Sequence, residues 1–516
     1  MSAVHATEMP ETLFARARAH AATVEGILVS DEMVRKPHSE LEAMLEGKGR
    51  EWARLMLEEN LRLRAQLERE TPVVDVHGVP RKSVRDSERH LETLVGRVPV
   101  QRLAYQLPGS PDLHPMDGAL NLPREMFSHG IRRAVARLAA TMSFDEVVDE
   151  IREMTGASIA KRQVEELTLR AAQDFDAFYE HRAVTSASET DLLILSTDGK
   201  GIVMRHEDLR EGTRRAAEKS GRKLETRLTP GEKSNRKRMA QVATVYSIAP
   251  FPRGPSDIVH SLRKPDDVDA KRPRPTDKRV WASVEKSSRA VIREAFAEAL
   301  RRDPQNTRRW VVLVDGEPKQ LRAVKAEAKR AGAKVTILID IIHVLEYIWT
   351  AARALFGATN AKAESWVSDR LLALLGGRSG GSVAKSIRWW AARTKLDASA
   401  LAAIEKTCGY LANRTRTRLL GYKQALHDGL PIATGVIEGA CRYVVKDRMD
   451  RTGARWSLTG AEAVLRLRAI RASKDFDAYW DFHLAQDQAR NHAGLYENSK
   501  IPDPLPPPKP RLKRVK

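Results

Sequence analysis

The sequence predicts a multidomain protein of mixed α+β and α/β class, with helical regions on either side of one sheet-forming stretch. Short apolar runs of strand length, such as Asp191-Leu-Leu-Ile-Leu-Ser-Thr197 and Trp310-Val-Val-Leu-Val314, are concentrated in residues 186–340. Before and after that stretch, apolar side chains recur every three or four residues, the period of a helix with one buried face. The 516 residues suffice for roughly three domains, each burying a core.

Apolar residues make up 42% and charged residues 30%, the balance of a folded chain rather than a disordered one. Lys+Arg number 88 against 68 Asp+Glu, a formal charge of +20. Such an excess suits a polyanionic partner, because phosphates release counterions when basic side chains take their place. The plainer alternative is a generally basic enzyme. Only Cys408 and Cys441 occur, too few for a disulfide framework or a cysteine-based zinc site, which fits a reducing cytosol. Residues 1–10 are polar with no apolar signal segment, and the longest apolar runs are of strand length. We therefore expect a cytoplasmic protein with no membrane partner.

Residues 1–90 read as a helical region: 39–70 is rich in Leu, Glu, Arg and Ala, and Pro37 marks its start. Residues 91–122 read as a small extended or hairpin element, with Pro108, Gly109, Pro111 and Pro115 marking a loop after 98–105. Residues 123–185 return to a helical period. Phe144, Val147, Val148 and Ile151 share one helix face, and Ser143 with Glu146 forms a capping-box pattern at its start. After a turn at Thr155-Gly156, a second helix has Ile159, Val164 and Leu167 as its apolar face. This is the outline of a helix-turn-helix DNA-binding region, whose second helix would offer Lys161, Arg162 and Gln163 to a major groove. An ordinary helical hairpin has the same outline.

In 186–340 the period changes. Residues 191–197 form a buried-strand run, Asp198-Gly199-Lys200-Gly201 reads as a turn, and 202–204 resumes as strand. Residues 205–238 form a basic insertion ending in Arg236, Lys237 and Arg238. Residues 239–248 read as a third strand, 252–275 as a Pro-rich loop and 280–301 as a helix. Then come a strand at 310–314 ending in Asp315, a helix at 317–331, and a strand at 334–339 ending in Asp340. Three strands followed by helix, strand, helix and strand is the order of an RNase H-like core: an antiparallel meander extended by βαβ units. Residues 341–430 read as a helical insertion, with helices at 343–356, 361–375, 383–392 and 398–413 between Gly-rich breaks. Residues 431–475 return to the core with a helix carrying Glu438, a turn at Thr452-Gly453 and a helix at 460–471. Residues 476–516 hold a peripheral helix and a basic, Pro-rich tail of disordered composition.

Three acidic residues stand out by position. Asp198 and Asp315 each follow an apolar strand, and Glu438 lies in Thr434-Gly-Val-Ile-Glu438-Gly-Ala after the helical insertion. Taken singly, a carboxylate beside glycine at a strand end is commonly a turn residue. In the RNase H-like order, however, the first strand and the strand after the first helix are neighbours. Asp198 and Asp315 would then meet, and a helix packed across the sheet would bring Glu438 to them. Clustered carboxylates repel one another unless cations sit among them, and magnesium is the oxygen-loving ion for such a site. Two ions about 4 Å apart can activate a water or a 3′-hydroxyl and stabilise the leaving oxygen of an in-line phosphoryl displacement. Lys446, Arg448 and Arg451 beyond Glu438, and Lys200 beside Asp198, are placed for DNA phosphates; a solvated helix face is the alternative. Glu317 reads as a helix opener, Trp456 as core, and Trp389-Trp390 as core with base stacking as the alternative.

In order along the chain stand Thr197-Asp198-Gly-Lys-Gly, Val314-Asp315-Gly-Glu, Asp340-Ile-Ile-His343, Gly435-Val-Ile-Glu438-Gly-Ala-Cys-Arg, Lys446-Asp-Arg448-Met and Gly453-Ala-Arg-Trp456. Each motif alone is weak, but the ordered set resembles that of ISKra-type insertion-sequence transposases over about residues 90–472. The resemblance implies a DDE transposase of a bacterial insertion sequence, with Asp198, Asp315 and Glu438 as catalytic triad and metal ligands for two Mg2+ or Mn2+ ions. It implies that Asp340 and His343 flank the site. It also implies double-stranded DNA partners, the terminal inverted repeats and a target, and a homodimer or larger assembly, because two ends must be joined. A water would free a 3′-hydroxyl, which would then attack target DNA. One departure concerns the small cysteine-bearing, zinc-ribbon-like element that often precedes the family's Pro-x-Asp motif, here Pro115-Met-Asp117. Residues 94–114 contain no cysteine, so no zinc is expected. The rival readings are an RNase H-like nuclease without strand transfer and a non-catalytic DNA-binding regulator derived from a transposase.

Overall fold

The computed structural model describes residues 13–184, 188–219, 236–263, 272–357, 360–451 and 453–506. Much of the basic insertion, part of the Pro-rich loop, Thr452 and the end of the C-terminal tail lie outside the described residues. The chain divides into two compact units, Met1–Glu180 with Phe476–Lys516, and His181–Asp475.

The first unit opens with helices Ala15–Leu28, Asp31–Val34 and His38–Leu67. An antiparallel sheet follows, of β1 (Ser83–Thr93), β2 (Gly96–Leu107) and β3 (Ser110–Leu113). The extended element thus begins at Ser83, within the region expected to be helical. The signal there was weak because β1 buries only Leu91 and Thr93. Leu91, Val98 and Val100 pack on Leu61 of the long helix, and the Arg102 guanidinium meets Asp117 at 3.0 Å. Apolar packing and a buried ion pair hold this cysteine-free hairpin.

Helices His129–Ala139, Phe144–Thr155 and Lys161–Ala171 share one core through Ile131, Val135, Val147, Ile151, Val164 and Leu167. The middle helix is punctuated at both ends. The Ser143 hydroxyl accepts from the Glu146 amide and the Glu146 carboxylate accepts from the Ser143 amide, and Gly156 ends the helix at φ +72°. The helix Phe476–Asn491 belongs to this unit. Its His483, fully buried, lies 2.7 Å from the Asp174 carboxylate, and its Asp487 accepts from Arg132 at 2.9 Å.

The second unit is built on a five-stranded mixed sheet of β4 (Leu192–Val203), β5 (Lys237–Ile248), β6 (Thr276–Ser283), β7 (Trp310–Val314) and β8 (Val335–Ile339), in the order β6-β5-β4-β7-β8. β6, β5 and β4 are antiparallel; β4, β7 and β8 are parallel. Two expectations are corrected. Asp198–Gly201 is not a turn: β4 runs unbroken, paired with β5 from Leu192↔Ile248 to Val203↔Lys237. The glycines make room instead, since a Cβ at Gly201 would stand 2.9 Å from Lys237 Cδ and one at Gly199 3.1 Å from Met239 Cε. Nor does a helix start at residue 280. Val280, Trp281 and Ala282 lie in β6, and the helix Ser288–Arg302 begins after Ser287, whose hydroxyl caps the Ala290 amide. A short continuous apolar run carries no period to separate strand from helix.

Beyond β8 come helices Ile341–Phe356, Ala361–Leu375, Gly380–Ala391, Ala398–Arg416 and Tyr422–His427. Then follow the short helix Gly435–Ala440, a π-helical turn Cys441–Lys446, and the helix Leu458–Ala472, which packs on β6. Among the described residues, no helix is long and apolar enough to cross a membrane.

Candidate active site

The strand register brings acidic residues together. β4 pairs with β7 through Ser196↔Leu313, and β7 with β8 through Val314↔Ile339. Asp198 lies in β4 two residues past Ser196, Asp315 follows the last residue of β7 and Asp340 the last residue of β8, so the three stand at one end of three parallel strands that neighbour each other at about 4.8 Å. Side chains alternate along β4. Thr197 faces the helix Pro318–Arg330, where its hydroxyl accepts from Gln320 at 3.1 Å. Asp198 and Lys200 therefore face the other side, where the chain after Glu438 crosses the sheet.

The Asp198 carboxylate is half-buried and engaged at both oxygens. Oδ1 accepts from the Gly199 amide at 2.6 Å, and Oδ2 from the Cys441 thiol at 3.2 Å. Burial pushes the Cys441 thiol well above its ordinary range, and the Asp198 charge adds to this. Cys441 therefore stays protonated and serves as a donor.

Asp315 sits in a turn held from two sides. Its Oδ1 accepts from the Glu317 amide at 2.9 Å, and the Glu317 carboxylate caps the following helix at the Gln320 amide, 2.7 Å. The helix Ala398–Arg416 grips the backbone: the Tyr410 hydroxyl donates to the Asp315 carbonyl at 3.3 Å, and Arg414 donates to the Gly316 carbonyl. Arg414 lies 4.5 Å over the Tyr410 ring, which stacks on Tyr347 at 3.8 Å. Gly316 has φ +91°, a backbone conformation that strains any residue with a Cβ.

Asp340 is fully buried. Its Oδ1 caps the helix Ile341–Phe356 by accepting from the Ile342 amide at 2.8 Å. Its Oδ2 accepts from the Thr434 amide at 3.2 Å and from the Thr434 hydroxyl. Burial pushes its pKa up to about 6; the nearby Glu438 charge also raises it, and His343 opposes the rise. Glu438 is exposed one turn after Thr434, and its amide donates to the Thr434 carbonyl at 3.0 Å. His343 is partly exposed, with Nδ1 3.4 Å from the Glu346 carboxylate.

No family model matches the chain, and no curated protein matches it.

The carboxylates expected to hold metal share one end of the sheet, but they do not close on an ion. Among the described residues, no group of three or more His, Cys, Asp or Glu side chains is placed to hold one. Each Asp198 oxygen accepts one hydrogen bond, which leaves a lone pair on each.

The expected DNA contacts are placed variously. Lys161 pairs with Asp145 at 2.7 Å and Arg162 with Glu166 at 3.0 Å, exposed ion pairs of the kind that contribute little. Gln163 caps its own helix by accepting from the Ala160 amide at 3.0 Å. Arg236 is buried, and Arg238 donates to the carbonyls of Val284 (2.9 Å) and Asp208 (3.2 Å), so it braces the sheet edge. Lys237 packs over Gly201. Lys446 and Arg451 are exposed. Arg448 departs from the expectation of a surface contact: it is buried, with its guanidinium 4.7 Å over the Trp456 ring. Trp456 is itself core, donating to the Met449 carbonyl at 3.0 Å. Thr434, Cys441, Tyr410 and Arg414 were not foreseen as site residues. Thr434 and Cys441, at either end of the Glu438 motif, carried a local sequence signal; Tyr410 and Arg414 carried none.

Proposed function

We propose that the chain is a DDE transposase of the ISKra type, which binds the terminal inverted repeats of an insertion sequence and carries out DNA cleavage and 3′-hydroxyl strand transfer. One observation carries the reading. Asp198 in β4 and Asp315 just past the end of β7 stand at one end of adjacent parallel strands of a sheet in the order β6-β5-β4-β7-β8, and the segment carrying Glu438 crosses the Asp198 side. That strand order is the one an RNase H-like core requires, with residues 341–430 as a helical insertion before the last acidic residue. Two Mg2+ or Mn2+ ions belong to this reading as a proposal; when bound, they would supply activation of the attacking oxygen and charge stabilisation at the leaving one.

The chain's own residues supply binding and orientation. Lys200 stands on the Asp198 side of the sheet, and Lys446 and Arg451 are exposed beyond Glu438, all suited to phosphates. The proposed partners are double-stranded DNA and a second copy of the chain.

A second reading has its own support. The Cys441 thiol donating to Asp198 is a contact that a non-catalytic DNA-binding regulator would also show. A metal-dependent cleavage and strand-transfer assay on DNA carrying the element's ends decides between them, with Asp198→Asn, Asp315→Asn and Glu438→Gln as variants. Variants that bind DNA but lose both steps support the transposase. A wild type that cuts without joining is a nuclease. A wild type that binds and never cuts is a regulator.

A further inference from the structure

Asp340 joins three pieces of chain that are remote in sequence. Its amide donates to the Val314 carbonyl at 2.9 Å, at the end of β7. One carboxylate oxygen caps the helix Ile341–Phe356. The other accepts twice from Thr434, a residue 94 positions away. An N-cap needs one oxygen only, so capping does not account for the second. The neighbouring backbone repeats the link, because the Ile341 amide donates to the Ile432 carbonyl at 2.9 Å.

Thr434 immediately precedes the helix that carries Glu438. Gly435–Ala440 is the first turn and a half of a helical run that continues through the π-helical turn Cys441–Lys446 to Met449. Its first turn closes on the Thr434 carbonyl, which accepts from the amides of Ile437 (2.8 Å) and Glu438 (3.0 Å). Thr434 therefore anchors the start of the run that carries Glu438, and the Cys441 thiol on Asp198 holds it three residues further on. A buried carboxylate is costly unless its oxygens are satisfied, so the contact with Thr434 resists slippage.

We propose that Asp340 and Thr434 form a buried lock that sets the position of Glu438 at the end of the sheet, which makes Asp340 a positioning residue rather than a ligand or proton donor. The kinetic consequence rests on the reading of Glu438 as part of a phosphoryl-transfer site; the lock itself does not.

The test uses the full chain with supercoiled plasmid DNA and Mn2+ as probes, nicking as one readout and hydrogen exchange across residues 434–441 as the other. Thr434→Val keeps the shape and removes the hydroxyl, Thr434→Ser keeps the hydroxyl, and Asp340→Asn weakens the acceptor. Displacement of a reacting group by about 1 Å costs about 100-fold, so Thr434→Val and Asp340→Asn are expected to lower kcat by about that factor. KM for DNA should change by less than about twofold, and Thr434→Ser should recover most of the rate. Exchange across 434–441 should rise about tenfold in Thr434→Val and stay near wild type in Thr434→Ser. A Thr434→Val variant that nicks like wild type while Glu438→Gln does not would overturn the lock and leave the transposase reading standing. Should Glu438→Gln, or the wild type, show no dependence of nicking on this site, the transposase reading falls and exchange alone decides the lock. Unchanged exchange in Thr434→Val then overturns it.

Discussion

Glu68 shows how one side chain's surroundings set a measurable property. Its Oε2 accepts from the Leu103 amide at 3.0 Å, while the buried Oε1 has no hydrogen-bond partner among the described residues. Burial is the main cause that pushes its pKa from 4.5 up to about 7, and the Asp117 charge adds to it. Between those values the folded chain holds a proton that the unfolded chain has released, so this contribution to stability falls as pH rises through the window. Glu68→Gln replaces the orphan oxygen with a neutral amide. It is expected to raise the Tm by about 2 °C or more at pH 8, and the gain should vanish at pH 4.5. A Tm difference independent of pH would contradict the assignment. The two thiols give a second check at this scale. Cys408 is fully buried with its pKa pushed up to about 11, and Cys441 is held protonated against Asp198. With a thiol-disulfide reagent at pH 8, neither should react rapidly in the native protein, and both should react once it is unfolded.

At the scale of elements, the helix Phe144–Thr155 was readable in full. Its apolar face, capping box and terminal glycine are all local signals, and all are present. Ser143→Ala removes the reciprocal cap and should cost about 1 kcal/mol, seen as roughly fivefold faster hydrogen exchange in that helix's first turns. No change in exchange would mean the cap is idle. β4 was readable only in part. Glycines at 199 and 201 are turn signals by composition, yet here they admit Met239 and Lys237 of the paired strand. β6 was misread as helix because its buried run is short and continuous. In each case the deciding contact came from the neighbouring strand.

At the scale of the whole molecule, the described architecture is two units, and the first is closed by the chain's far end. Tyr479, His483 and Asp487 of the helix Phe476–Asn491 are buried there, and Asp487 partners the buried Arg132. A chain ending at Asp475 leaves that guanidinium with Glu125, 3.6 Å away, as its carboxylate partner, a loss below the roughly 3–5 kcal/mol of a fully broken buried pair, and removes apolar cover as well. Limited proteolysis should then cut readily within residues 123–180 while 188–475 persists. Equal resistance of both units in the truncated chain would show that the helix is dispensable.

By itself the sequence determined the strands that end before Asp315 and Asp340, the carboxylates at those ends, the single helix-rich stretch between the last strand and Glu438, and the basic charge. Each of these is written in composition or in a period that repeats within about ten residues. Only the tertiary structure decided that Asp340 reaches Thr434, that Cys441 caps Asp198, that Tyr410 and Arg414 grip the Asp315 turn, and that Arg448 lies under Trp456 rather than at the surface. It also decided that the C-terminal helix belongs to the first unit. The physical reason is common to most of these. Periodicity reports which face of an element is buried, but not which partner buries it. Hydrogen bonds between residues scores or hundreds of positions apart depend on strand register and helix packing, which no local pattern encodes.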